Sequence, residues 1–293
     1  MITLPVDVVR RYPRFSLYNS PYPAHDAGHA IDLYPESNAG ISPVSGVVRD
    51  TRTVGCPDRS YAVEQDHLIV IDVDDEWANE ASVDRDLAAR ILHVEPAVEP
   101  GDEVTVGDSL GPMIRSGFFG QWVDNHVHLG FRDASANPYR ASGSLPVGVD
   151  VDVRPLAWDG TGVVREVGET YALLDAPTHP DPTDAYAAIA SDDGVPLDGG
   201  LAHYAGGGAL GEADGAVSLF GQDLGEAESR DLTWNDVDVL ANGTRITGLS
   251  LFASRDASFG AKLVCPDAEF DVGEEVAVDV VSSDAPIKLG VGR

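Results

Sequence analysis

Two histidines one residue apart, His126 and His128, stand in the run Trp122-Val-Asp-Asn-His-Val-His-Leu-Gly-Phe-Arg132. The Val, Leu, Phe and Trp around them predict a β-strand. Side chains at i and i+2 of a strand share a face, so the two imidazoles project together, about 7 Å apart along the strand. That arrangement suits one ligand to a zinc ion and one neighbour that moves protons. Two polar residues on a wetted sheet face are the plain alternative.

Strand signals dominate the elements around this pair. Short β-branched runs alternate with Gly, Pro and Asp: Gly46–Arg49, His67–Val73, Arg90–Val94 and Glu103–Val106. Runs of this length and spacing predict an all-β sandwich or barrel. The polar stretch Asp74–Ala89 reads as a short helix or a long loop, and Glu95–Asp102 as a turn. Near Asp133–Pro146 the composition shifts to Ala, Ser, Asn, Gly and Pro, which sets the domain boundary near Val149. Two domains are expected, residues 1–149 and 150–293. The second has its own strands at Gly162–Arg165, Thr170–Leu174, Ala216–Phe220, Thr247–Phe252 and Glu275–Val281, and reads as a second antiparallel β domain. Its glycine-rich stretch Gly199–Gly215 lacks the Lys-Ser/Thr of a phosphate-binding loop and is expected to be a flexible hairpin connection.

The chain has 293 residues, 43% of them hydrophobic, enough to bury a large core. Acids number 49 and bases 19, for a formal charge of −30. Only Lys262 and Lys288 are lysines. Such an acidic surface suits a molar-salt cytosol, because at about 1 M salt the Debye length is only ~3 Å and the carboxylates barely repel. A halophilic, archaeal source is the expectation. The absence of basic patches argues against nucleic acid as a partner. No apolar run approaches the ~18 residues that cross a bilayer, and no secretory signal is visible, so no membrane partner and a cytoplasmic location are expected. Cys56 and Cys265 form no zinc or disulfide pattern and read as free thiols.

Four segments of the first domain stand out, and three of them hold five of the eight histidines. These are Pro23-Ala-His-Asp-Ala-Gly-His-Ala-Ile-Asp-Leu-Tyr-Pro35, Ser42-Pro-Val-Ser-Gly-Val-Val48, Arg90-Ile-Leu-His-Val-Glu through Gly111, and Asn125-His-Val-His-Leu-Gly-Phe-Arg132. Their order, spacing and local shape resemble the M23 family, the LytM/lysostaphin-type zinc metallopeptidases. The resemblance covers roughly residues 20–132, a little under half the chain. It implies a duplicated-hybrid-motif fold, barrel-sandwich-like, with a Zn2+ ion at one end. It also implies metal ligation by Asp32 and His128, with His93 and His126 as non-ligand catalytic histidines. The family's first histidine ligand stands four residues before the aspartate, where this chain has Gly28. His25, seven before Asp32, is the preferred replacement and His29, three before, the alternative. Gly130 is a second departure, at a position where the family often carries an acidic residue.

Two imidazoles and one carboxylate fill three of zinc's four tetrahedral positions and leave one for water. Zinc lowers the pKa of that water toward ~7. His93 and His126 are then expected to serve as base and as donors to the developing oxyanion. The leading expectation is a zinc-dependent hydrolase, an M23-type peptidase or amidase acting on a peptide or small-molecule substrate. A non-catalytic metal- or ligand-binding β protein on the same scaffold is the alternative. His67, His179 and His203 have no assigned role, and the second domain yields no chemistry.

Overall fold

The computed structural model describes residues 1–290. The protein is all-β. The chain divides into two compact units, Met1–Leu17 with Ala27–Val151, and Tyr18–Asp26 with the chain from Asp152 onward.

The first unit is built on a sheet of seven strands: β1 (Arg14–Ser16), β2 (Ala30–Tyr34), β3 (Gly46–Gly55), β4 (Gln65–Val73), β5 (Leu87–Leu92), β6 (Glu103–Val104) and β7 (Val127–Asp133). Their spatial order is β1-β2-β7-β5-β4-β3-β6, and each neighbouring pair is antiparallel. Period-two alternation divides the central strands cleanly. One face carries Ile31, Leu33, Ala89, Ile91, Leu129 and Phe131, all inaccessible to solvent. The other face carries Asp32, His128, Gly130, Arg132 and Arg90, with His128 opposite Asp32 and Gly130 opposite Arg90. Chemistry is thereby confined to one side of the sheet while the other side supplies the core.

The stretch after β4 contains a short helix, Asp75–Glu80, whose first turn is capped by the Asp74 carboxylate accepting from Trp77 N–H at 2.7 Å. Such a cap is worth about 1 kcal/mol. Trp77 is buried and stacks on Phe131. The strand after it starts at Leu87, earlier than the β-branched residues predict. Small residues explain the difference: Ala88 and Ala89 are weak strand formers but fit a sheet packed on both faces.

At Gly111, φ is +133°, and a Cβ would stand 1.9 Å from the Glu95 carbonyl oxygen. Glu95 lies two residues beyond His93, so this close approach sets the path of the His93 segment. Gly111→Ala is expected to cost about 3 kcal/mol through backbone strain and overpacking. For a domain of this size that lowers the thermal midpoint by about 6–12 °C, read from a melting curve.

The second unit is dominated by a curled antiparallel half-barrel of twelve strands, from Gly215–Leu219 at one edge to Thr244–Ile246 at the other. Leu174, Leu197, Leu201, Leu224, Leu249 and Leu263 lie in its core. A smaller group pairs Val153–Leu156 in parallel with Tyr186–Ile189. The glycine-rich stretch departs from expectation. Gly206–Ala209 is a strand paired with Leu197–Leu201 and Asp231–Trp234. Its glycines admit aromatic rings: a Cβ on Gly207 would stand 2.2 Å from the Trp234 ring, and one on Gly208 2.1 Å from that of Tyr18. Close packing rather than flexibility is what they provide. Cys56 and Cys265 are free thiols.

Candidate metal centre

The histidine pair is not carried by one strand as the spacing predicts. β7 begins at Val127, so His128 is on the strand while His126 stands just before it. The cause is local. His126 Nδ1–H donates to the Asp124 carbonyl at 2.9 Å, bending the chain into the strand. Both rings still converge on Asp32. His128 Nδ1 lies 2.9 Å from Asp32 Oδ1, and His126 Nε2 lies 3.4 Å from the same oxygen. Asp32 is 2% exposed.

His25 sits on the one-turn helix Pro23–Asp26 and is buried. His25, Asp32 and His128 each offer a ligand atom, and these atoms lie within 4.8 Å of one another. His29, His67, His179 and His203 stand outside this group. The donor set fits a divalent ion. Neutral imidazoles and a carboxylate suit zinc. Ligands at ~2.0–2.1 Å in tetrahedral geometry stand about 3.3 Å apart, and the His128–Asp32 pair stands at 2.9 Å. The chemistry of His126 also favours a cation. Burial pushes its pKa down to about 3, against the pull of Asp32. With Nδ1–H committed to a carbonyl, Nε2 presents a lone pair to a carboxylate oxygen, and two facing acceptors call for positive charge between them.

His93 follows β5 and stands beside these rings, with centroids 5.0 Å from His126 and 5.6 Å from His128. Its φ is +70°, in the left-handed region that a residue with a side chain rarely occupies. The partner that enforces this is Asp66, which sequence reasoning misses. Asp66 is inaccessible to solvent. Its Oδ2 accepts from His93 Nδ1–H at 2.5 Å and from Ser116 Oγ–H at 2.5 Å. Its Oδ1 accepts the backbone N–H groups of His67 (2.6 Å) and His93 (3.0 Å). A signal does exist: Asp66 is in phase with buried Leu68 and Val70 on one strand face, where an acid needs a reason to be.

Burial raises the Asp66 pKa, but His93 and the donated hydrogen bonds outweigh it and hold the carboxyl at about 2. A depressed carboxyl stabilises the fold above its unfolded pKa and ceases to do so as pH falls through the folded value. This contribution, on the order of 2 kcal/mol, is expected to vanish between about pH 4 and pH 2. The stability gap between wild type and Asp66→Asn, from urea midpoints, should hold steady above pH 5 and shrink across that window.

Phe119 closes the cluster, with its ring centroid 4.6 Å from His126 and 5.1 Å from His93. Arg115 fixes its loop by donating to the carbonyls of Gly120, Gln121 and Val123. The guanidinium also lies 4.9 Å from the Phe119 ring centroid.

Fold and donor set together define a two-domain β protein with a group of His and Asp side chains that could hold a cation. By sequence the chain belongs to the DUF8155 family. The model of that family's N-terminal domain, a domain of unknown function, matches residues 3–149, and the model of its C-terminal domain matches residues 154–281. No curated protein matches the chain. Among the described residues, no helix is long and apolar enough to cross a membrane.

Proposed function

We propose that the N-terminal domain is a zinc-dependent hydrolase of the M23 type, cleaving a peptide or amide bond. The observation that carries this reading is the braced His93 beside the ligand-competent group of His25, Asp32 and His128. When bound there, zinc supplies an acidified water and polarises the scissile carbonyl. Asp66 holds the His93 proton at Nδ1 and so leaves the Nε2 lone pair free to take a proton from the attacking water. The same nitrogen returns that proton to the departing amine. His126 stays neutral by burial and shapes the site with Phe119, which excludes bulk water. The −30 charge fits work in molar salt, so the test belongs there.

Purified protein is expected to carry one zinc per chain and to hydrolyse members of a peptide panel that includes glycine-rich sequences. Zinc bound at one equivalent without turnover on that panel would overturn the hydrolase reading. A second reading rests on the 3.4 Å between His126 Nε2 and Asp32 Oδ1. Were His126 a fourth ligand, the site would be closed and structural rather than catalytic. X-ray absorption separates the two: two imidazoles plus a light oxygen from water favour the hydrolase, three imidazoles the closed site.

A further inference from the structure

The face of the sheet that carries Asp32 and His128 continues into a second cluster of opposite charge. Arg90 on β5 stands opposite Gly130 on β7, and Arg132 lies two residues further along the same face. Diagonal neighbours of this kind have Cβ atoms about 7–8 Å apart, within reach of two arginines. Arg90 is 8% exposed and Arg132 3%. Among the described residues neither has a carboxylate partner. Their hydrogen bonds go to main-chain carbonyls instead. Arg90 Nε–H donates to Pro138 at 2.6 Å and an Arg132 terminal N–H to Arg140 at 2.8 Å. Arg132 Nε, fully buried, has no hydrogen-bond acceptor among the described residues.

Two buried guanidiniums without a counter-charge are costly anywhere. They are anomalous in a chain with 49 acids and 19 bases, where a carboxylate is the most available partner. Burial and the neighbouring Arg132 bring the Arg90 pKa down to about 10, which leaves it charged at neutral pH, and burial and the nearby Arg140 lower that of Arg132. Gly130 has no side chain, and a Cβ built there would meet only Ser144 Oγ at 3.5 Å and the His29 carbonyl at 3.7 Å. Ser144 is 9% exposed and adds a hydroxyl donor on this face.

We propose that Arg90, Arg132 and Ser144 form a binding site for a small monovalent anion, chloride or a lone carboxylate, on the sheet face at Gly130. Guanidinium N–H groups and a hydroxyl are the donors such an ion takes, and charge-assisted bonds are the strong ones. The site is independent of the metal centre. The anion offsets one of the two charges and ties the segment through Pro138 and Arg140 to the sheet.

The test uses the full chain at fixed sodium concentration and ionic strength, with chloride or formate replacing gluconate, which is too bulky to enter. The thermal midpoint is expected to stay nearly flat below half-saturation and to rise by about 3–5 °C per tenfold anion beyond it. Gly130→Asp places a carboxylate on that face beside Arg90 and Ser144. It should melt higher than wild type in gluconate and shift by less than about 1 °C when chloride is added, its site being already filled. Gly130→Ala should keep the wild-type response. Arg132→Met should lose it; if that variant does not fold, Gly130→Asp decides alone. A wild-type midpoint that rises linearly with anion concentration and shows no half-saturation break, or a Gly130→Asp response equal to wild type, overturns the proposal.

Discussion

An Asp32→Asn protein is expected to leave purification with less than about a tenth of an equivalent of zinc, against roughly one for wild type. Loss of an outer-shell partner alone typically costs 10–100-fold in metal affinity, and loss of a ligand costs more. Asp32 also brings the only negative charge to the ligand group, while His25 and His128 bring neutral nitrogens. The asparagine keeps the shape of a residue that is 2% exposed, so the change reads charge rather than cavity. His25→Ala is expected to match it, with zinc affinity down by at least about 10³-fold. His29→Ala should bind zinc as wild type does, since His29 stands outside the ligand group. Zinc content after dialysis, measured beside a circular dichroism spectrum of each variant, decides the matter. Asp32→Asn retaining a full equivalent would remove the metal centre. His29→Ala losing it would transfer the first ligand from His25 to His29.

The contrast between these two histidines shows what the sequence can carry. Spacing along a strand fixes faces, so Asp32, His128, Gly130 and Arg132 fall on one side of the sheet by period two alone. Strand cores were legible for the same reason. Gln65–Val73, Thr161–Val167 and Glu275–Ser282 extend the apolar runs by a few residues at most. Long-range pairing was not legible. Nothing local shows that Asp66 meets a residue 27 positions away in His93, or that Ser116 meets it from 50 positions away. Nor did the glycine-rich run disclose its role, because the rings of Trp234 and Tyr18 that fill it come from distant segments. His126 failed as a strand residue for a subtler reason. A hydrogen bond to the main chain two residues back competes with the extended ladder, and periodicity is blind to it.

The largest effect on turnover is expected at His93. His93→Gln should lower kcat/KM on any hydrolysed peptide by about 10²–10⁴-fold, the usual worth of a positioned acid–base group. That corresponds to about 3–5 kcal/mol of barrier. Zinc content should be unchanged, because His93 lies outside the ligand group. Glutamine is chosen over alanine since its amide N–H can still donate to the Asp66 carboxylate, which has no solvent to turn to. Asp66→Asn attacks the same function from behind. Its amide presents an N–H toward His93 Nδ1, so the ring proton moves to Nε2 and the lone pair needed for the water is lost. A wrong tautomer of this kind costs up to about 10⁴ in kcat elsewhere. Here a fall of about 10²-fold or more in kcat with little change in KM is expected. A purely structural role for Asp66 would instead lower the melting temperature and leave kcat per folded molecule intact. Imidazole nitrogen chemical shifts supply the second readout: wild-type His93 should show its proton on Nδ1, and Asp66→Asn should show it on Nε2. If both variants turn over peptide at the wild-type rate, proton transfer does not pass through His93, and the two histidines beside the ligand group serve packing alone.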